Sequence, residues 1–219
     1  MLLQLGVALG AIACFISFVW SIVRFFHAPH GIVPGMRLLT SCFVISMLLH
    51  LLCIAWFFEP GSLGAEVGIA LYLAALGLFW LAIWTVRDNP FSLAFSRDVP
   101  IHLVDRSVYS LVRHPFYTSY MLAWIAGVVA TGQPWLWGTV VVMGTIYWKA
   151  ANLEEDKFMS SELRDAYARY RLRAGKFLPR ISRLVPCGHV GRGTRGDEPS
   201  PGTTRMELNT RVPQSAHEH

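Results

Sequence analysis

The chain alternates between long uncharged apolar runs and short polar connections. The first run, Leu2 to Val23, contains no Lys, Arg, Asp or Glu. The second covers Leu38 to Phe58, with His50 within it, and the third Val67 to Val86. Each holds about 20 residues, the length an α-helix needs to cross a hydrocarbon core ~30 Å thick. A fourth uncharged run extends from Phe116 to Trp148 and is divided by Thr131-Gly132-Gln133-Pro134. Gly and Pro there mark a tight turn, so this run predicts a helical hairpin. Its arms hold about 16 residues each, roughly 24 Å at 1.5 Å per residue, and the second can extend through Lys149–Leu153 into the interface. The pattern predicts an all-α integral membrane protein with about five transmembrane helices, the last two forming the hairpin.

Beyond the hairpin the periodicity changes. Met159, Leu163, Tyr167 and Tyr170 recur at near-helical spacing, with Glu162, Arg164, Asp165 and Arg169 elsewhere on the wheel. This predicts one amphipathic helix that packs under the bundle or lies on the membrane. Pro179 and Pro186 end the pattern, and residues 187–219 are rich in Gly, Pro, Thr, Arg and Glu with few aliphatic clusters. Such a composition predicts a disordered tail. The connection from Arg87 to Pro115 is too long for a simple turn. Its Phe91, Phe95, Ile101, Leu103, Val104, Val108 and Tyr109 suggest a segment that folds back against the membrane face. Three regions follow: a three-span scaffold over 1–100, a candidate functional region over 101–180, and the tail.

Composition agrees with a membrane protein: 53% of the 219 residues are hydrophobic and 15% charged. The formal net charge of +5 raises the question of nucleic acid, but the placement of the charges answers it. Arg24 and Arg37 flank the first connection, and Arg87, Arg97, Arg106 and Arg113 fall in the third. The second and fourth connections carry no Lys or Arg, and the remaining basic residues start at Lys149. By the positive-inside rule this alternation puts the N-terminus outside and the C-terminus in the cytoplasm. Topology and anionic lipid therefore account for the charge, and no nucleic acid is called for. The first run lacks a basic n-region and is read as a retained span. The four cysteines, Cys14, Cys42, Cys53 and Cys187, fit neither a metal motif nor a disulfide framework. His50 has no second histidine at matching depth, so it reads as a packing residue rather than a haem ligand. The expectation is no metal.

The candidate chemistry lies where the third connection meets the hairpin. Leu111-Val-Arg-His-Pro-Phe-Tyr117 sets a cation and an imidazole before a proline suited to the first turn of a helix. A hairpin brings the foot of its second arm, with Glu154 and Glu155, beside Arg113 and His114. Together with the aromatic-rich connection these make a polar pocket next to lipid. Such a pocket suits a polar cofactor on the water side and a lipophilic substrate on the other.

These residues resemble the isoprenylcysteine carboxyl methyltransferase family. The resemblance rests on Arg113-His114-Pro115 with Tyr117, the Glu154-Glu155 pair after the hairpin, Tyr167 and Tyr170, and the close at Phe177–Pro179. It implies a membrane-embedded methyltransferase that uses S-adenosyl-L-methionine without a Rossmann domain; the absence of a G-x-G-x-x-G element agrees. It also implies a lipophilic or lipidated acceptor, such as a prenylcysteine-like carboxylate, a lipid amine or another isoprenoid. Carried across, the cofactor-binding residues are His102, Leu103, Val104, Tyr109, His114, Pro115, Phe116, Tyr117, Glu154 and Glu155. The pair could also be Glu155-Asp156, and Glu155 belongs to either register. Arg113 is the candidate to orient an acceptor carboxylate, which guanidinium binds bidentately. The chain departs from the family at Ser107 and Ser119, where glycine is usual.

Overall fold

A computed structural model describes residues 1–25, 34–58, 63–87 and 102–180. All of them lie in one compact unit, Met1–Leu184. Most of the third connection and the whole tail from 187 fall outside the described residues, and with them the expectations of a folded-back loop and a disordered tail.

The elements are helical throughout: α1 (Leu2–Phe25), α2 (Pro34–Trp56), α3 (Leu63–Val86), α4 (Pro115–Thr131), α5 (Trp137–Met159) and α6 (Arg164–Arg173). Short 3₁₀ turns precede α4 (Ser107–Ser110) and α5 (Pro134–Leu136). No named strand occurs among the described residues. Three helices are long and apolar enough to cross a membrane: Leu2–Ser21, Gly35–Trp56 and Leu63–Val86. The hairpin arms α4 and α5 do not join them on that measure. α4 has 17 residues, and the last part of α5 carries Lys149, Glu154, Glu155 and Asp156.

The surface is apolar where a soluble protein's would be polar. Leu5, Leu9, Ile12 and Ile16 of α1, and Leu38, Ile45, Leu48 and Leu52 of α2, are all exposed. Helices apolar on both faces belong in a large core or in lipid. Exposed Trp56, Trp135 and Trp137 mark one end of the bundle, and Trp84 and Trp148 the other. This is the arrangement of interfacial aromatic belts.

Inside, the most extensive packing is α3 on α4, with α1 against α3. Small residues allow the close approach: a Cβ at Gly68 would stand 2.5 Å from the Ala130 Cβ and 3.0 Å from the Ala126 carbonyl. In lipid, where burial offers no hydrophobic gain, such contacts supply the packing that holds helices together. Gly127 serves a different purpose. A Cβ there would overlap the His50 ring and fall 2.9 Å from the Tyr72 hydroxyl. His50 is fully buried, and its Nε2 lies 2.8 Å from the Thr139 hydroxyl on α5. It is a packing residue that ties α2 to the hairpin. The hairpin turn itself depends on Gly132, which caps α4 at φ 66 with its N–H on the Val128 carbonyl.

The segment after α5 differs from the single amphipathic helix that the spacing predicts. α5 ends at Met159 and α6 starts at Arg164, so Met159 and Leu163 flank a break. Ser160 and Ser161 make it: their hydroxyls donate to the Asp156 and Phe158 carbonyls. Short polar side chains compete with the helical ladder in this way. α6 then buries Tyr167 and Tyr170, and Tyr167 stacks on Phe158 at 4.6 Å.

Candidate functional site

The site forms where three segments distant in sequence are clamped together. Residues 111–114 run parallel to 175–176. The Gly175 N–H donates to the Leu111 carbonyl, the Arg113 N–H to Gly175 (2.7 Å) and the His114 N–H to Lys176 (3.1 Å). The Thr118 hydroxyl donates to the Phe177 carbonyl at 2.9 Å. Pro115 opens α4 directly after this ladder, at a position that has no use for an N–H. The chain leaving α6 therefore fixes the approach to α4, while α5 presents its acidic pair from the other side.

His114 sits between the two carboxylates. Its Nε2 donates to Glu155 Oε1 at 3.1 Å, and its Nδ1 lies 3.3 Å from Glu154 Oε2. Burial pulls the imidazole pKa down, but the hydrogen bonds and charges of Glu154 and Glu155 outweigh it, and the net shift is upward from 6.5. The two carboxylates thus favour the imidazolium against the pull of burial. Glu155 is the hub. Arg113 donates to Oε1 from Nε (3.2 Å) and Nη2 (3.0 Å), and Lys176 stands 3.5 Å away. Burial opposes the charge on Glu155. The His114 hydrogen bond, the Arg113 guanidinium and the Lys176 ammonium prevail and hold its carboxyl at about 2.

Glu154 occupies a different setting. Its Oε1 accepts from the Tyr117 hydroxyl at 2.6 Å, yet its side chain keeps 29% of its surface, against 7% for Glu155. One carboxylate is thus sealed among cations, and its neighbour is partly exposed. The Tyr117 ring stacks near His114 (5.7 Å) and on Tyr147 (5.3 Å), and Phe177 closes the other side of His114 at 5.9 Å. Burial, then the Glu154 charge, push the Tyr109 phenol well above its usual range. Tyr109 therefore stays neutral beside that carboxylate.

Residues 65–166 match the model of the phospholipid methyltransferase family. That segment, just under half of the chain, contains most of α3, the hairpin, the Arg-His-Pro-Phe-Tyr turn and both glutamates. A membrane methyltransferase is the reading that the family match and the apolar helices support together. No curated protein matches the chain.

Within this matched segment the sequence-predicted residues divide into two groups. His114, Tyr117, Glu154, Glu155 and Arg113 meet in one network, with Pro115 buried at its edge. The others stand around it. Val104 packs with Val108 and Tyr109 against Ala82 and Val86, and Phe116 borders the same cluster. Leu103 packs on Tyr167, Tyr170 and Ala174. His102 is exposed, as is Asp156, so the acidic pair that meets His114 is Glu154 with Glu155. Arg113 is committed within the protein: besides Glu155, its Nη1 donates to the Ala174 carbonyl at 2.6 Å.

Sequence reasoning left out Lys176, Asn152 and Thr118. Lys176 donates to Asn152, approaches Glu155 and lies 4.8 Å over the Trp148 ring. It sits directly before the Phe177–Pro179 close, and that adjacency was the available signal. Of the two departures from glycine, Ser119 is benign: it is buried, and its hydroxyl donates to Phe116 of its own helix. Ser107 is not. It stands at φ 53, a left-handed conformation that costs a residue with a Cβ about 1–2 kcal/mol.

Proposed function

We propose that this chain is an S-adenosyl-L-methionine-dependent methyltransferase acting on a lipid-borne acceptor at the cytoplasmic face of a membrane. The observation that carries the reading is His114 held between a sealed Glu155 and a partly open Glu154, inside a segment matched to a methyltransferase family. The residues present suit the cofactor. An open carboxylate accepts hydrogen bonds from ribose hydroxyls or an ammonium group, and such bonds are strong. Aromatic faces attract a sulfonium cation, and Tyr109, Tyr117 and Phe177 supply them. Leu103, Val104 and Phe116 give the apolar border, with His102 and Pro115 at the rim. When bound, the cofactor supplies an electrophilic methyl group.

The work left to the protein is placement and exclusion of water, since in-line displacement depends on the alignment of nucleophile and methyl. Glu154 binds. Glu155 and Arg113 hold His114 and the α4 entry in place. The internal commitment of the Arg113 donors favours this positioning role over direct contact with an acceptor. The hairpin arms α4 and α5 serve as the fourth and fifth spans, with the N-terminus outside. The family description favours a phospholipid headgroup as acceptor, and the Arg-His-Pro-x-Tyr resemblance favours a prenylcysteine-like carboxylate.

Calorimetric titration of the purified chain with S-adenosylhomocysteine tests the cofactor site. Binding that Glu154→Ala removes, in a variant that stays folded, is the expected result. No binding by the wild type would make the chain a membrane scaffold that shares the fold.

A further inference from the structure

A groove of about 400 Å³ runs between α2 and α5. It takes no part in the polar network. Leu38 and Cys42 form one wall, Val142 and Ile146 the other, and Lys149 closes one end. The α5 residues Val142, Ile146 and Lys149 follow i, i+4, i+7 spacing, a single stripe about 10 Å long at 1.5 Å per residue.

Two observations decide what fills it. α2 is one of the helices able to cross a membrane, and the groove-lining Leu38 on α2 and Val142 on α5 are 60% and 47% exposed. The uncovered side of such a helix meets acyl chains, and a groove with apolar walls accepts one. The second observation is charge. Lys149 stands at the end of the groove, and exposed Arg37 lies on the first turns of α2 at the same end of the bundle. Among the described residues no Asp or Glu lines the groove. Trp148, beside Lys149, belongs to the aromatic belt at that end, the depth at which lipid headgroups sit.

We propose that this groove binds one acyl chain of an anionic glycerophospholipid, with Lys149 pairing with the lipid phosphate. The bound lipid is a resident of the fold, and its binding does not depend on methyl transfer.

Native mass spectrometry of the purified full-length protein tests this with phosphatidylglycerol and phosphatidylcholine as probes. Phosphatidylglycerol is expected to be retained preferentially. Lys149→Glu should cut its retention at least roughly fivefold, since losing one basic residue near an anionic headgroup alone has that effect, and Lys149→Arg should keep it. Val142→Trp, which fills the groove, should reduce retention of both lipids. Thermal unfolding of each variant separates lost binding from lost folding. Equal retention of the two lipids with no effect of Lys149→Glu would overturn the proposal. So would a lipid-free dimer that Val142→Trp dissociates, since a second copy would then be the occupant.

Discussion

Replacing Glu155 by Gln removes one charge from a cluster built around it. Arg113 and His114 each expose 7% of their side chains and Lys176 15%, so Arg113 and Lys176 would stay buried with this counter-charge gone and His114 would keep only Glu154. Breaking a buried ion pair from one side costs about 3–5 kcal/mol. The glutamine oxygen retains part of the hydrogen bonding, which argues for the lower end. The depressed Glu155 carboxyl points to the same size of effect. The interval between the ordinary 4.5 and about 2 corresponds to about 3 kcal/mol. Arg171, 44% exposed at 3.7 Å, adds little because solvent screens it. For a chain of this size about 3 kcal/mol lowers Tm by roughly 6–12 °C. The assay is thermal unfolding in detergent followed by tryptophan fluorescence, with Asp156→Asn as the exposed control. A Glu155→Gln protein that melts with the wild type would refute the reasoning, because the cations would then not depend on that carboxylate.

Three further outcomes follow from the same structure. Glu155 has a lowered pKa, so its contribution is present above 4.5 and fades as pH falls towards 2; His114 has a raised pKa, so its contribution is present below 6.5 and fades as pH rises through the raised value. Tm measured against pH should peak between these limits, and a profile still rising above pH 8 would contradict the imidazolium. Gly127→Ala should cost about 1–3 kcal/mol through overpacking on His50, and adding His50→Ala should recover part of it; strictly additive losses would argue against the contact. Ser107→Gly should raise stability by up to about 1 kcal/mol, since relief of the left-handed backbone is partly offset by chain entropy. A loss in urea unfolding would show that the Ser107 conformation is not strained.

The apolar helices were legible because a run without charges is itself the physical requirement for crossing lipid. Their ends were less so. α2 starts at Pro34, ahead of the Leu38 at which the uncharged run begins: Arg37 bounds the apolar run but not the helix, since a basic residue at an interface fits a helical turn. α5 likewise continues to Met159 through its charges. The juxtaposition of Arg113 and His114 with Glu154 and Glu155 followed from reading a hairpin. The pairing of 111–114 with 175–176 did not, because backbone hydrogen bonds leave no mark on side-chain pattern. That ladder is why Lys176 reaches Glu155. The difference in exposure between the glutamates was also invisible, since it depends on burial within one turn of one helix.

The central claim is best tested by transfer of labelled methyl from S-adenosylmethionine into membranes containing the protein. Label should enter a lipid or lipidated acceptor with the wild type and stay absent with a folded Glu154→Ala variant. Transfer that persists undiminished in that variant, or none with the wild type across phospholipid and prenylcysteine acceptors, would contradict the account.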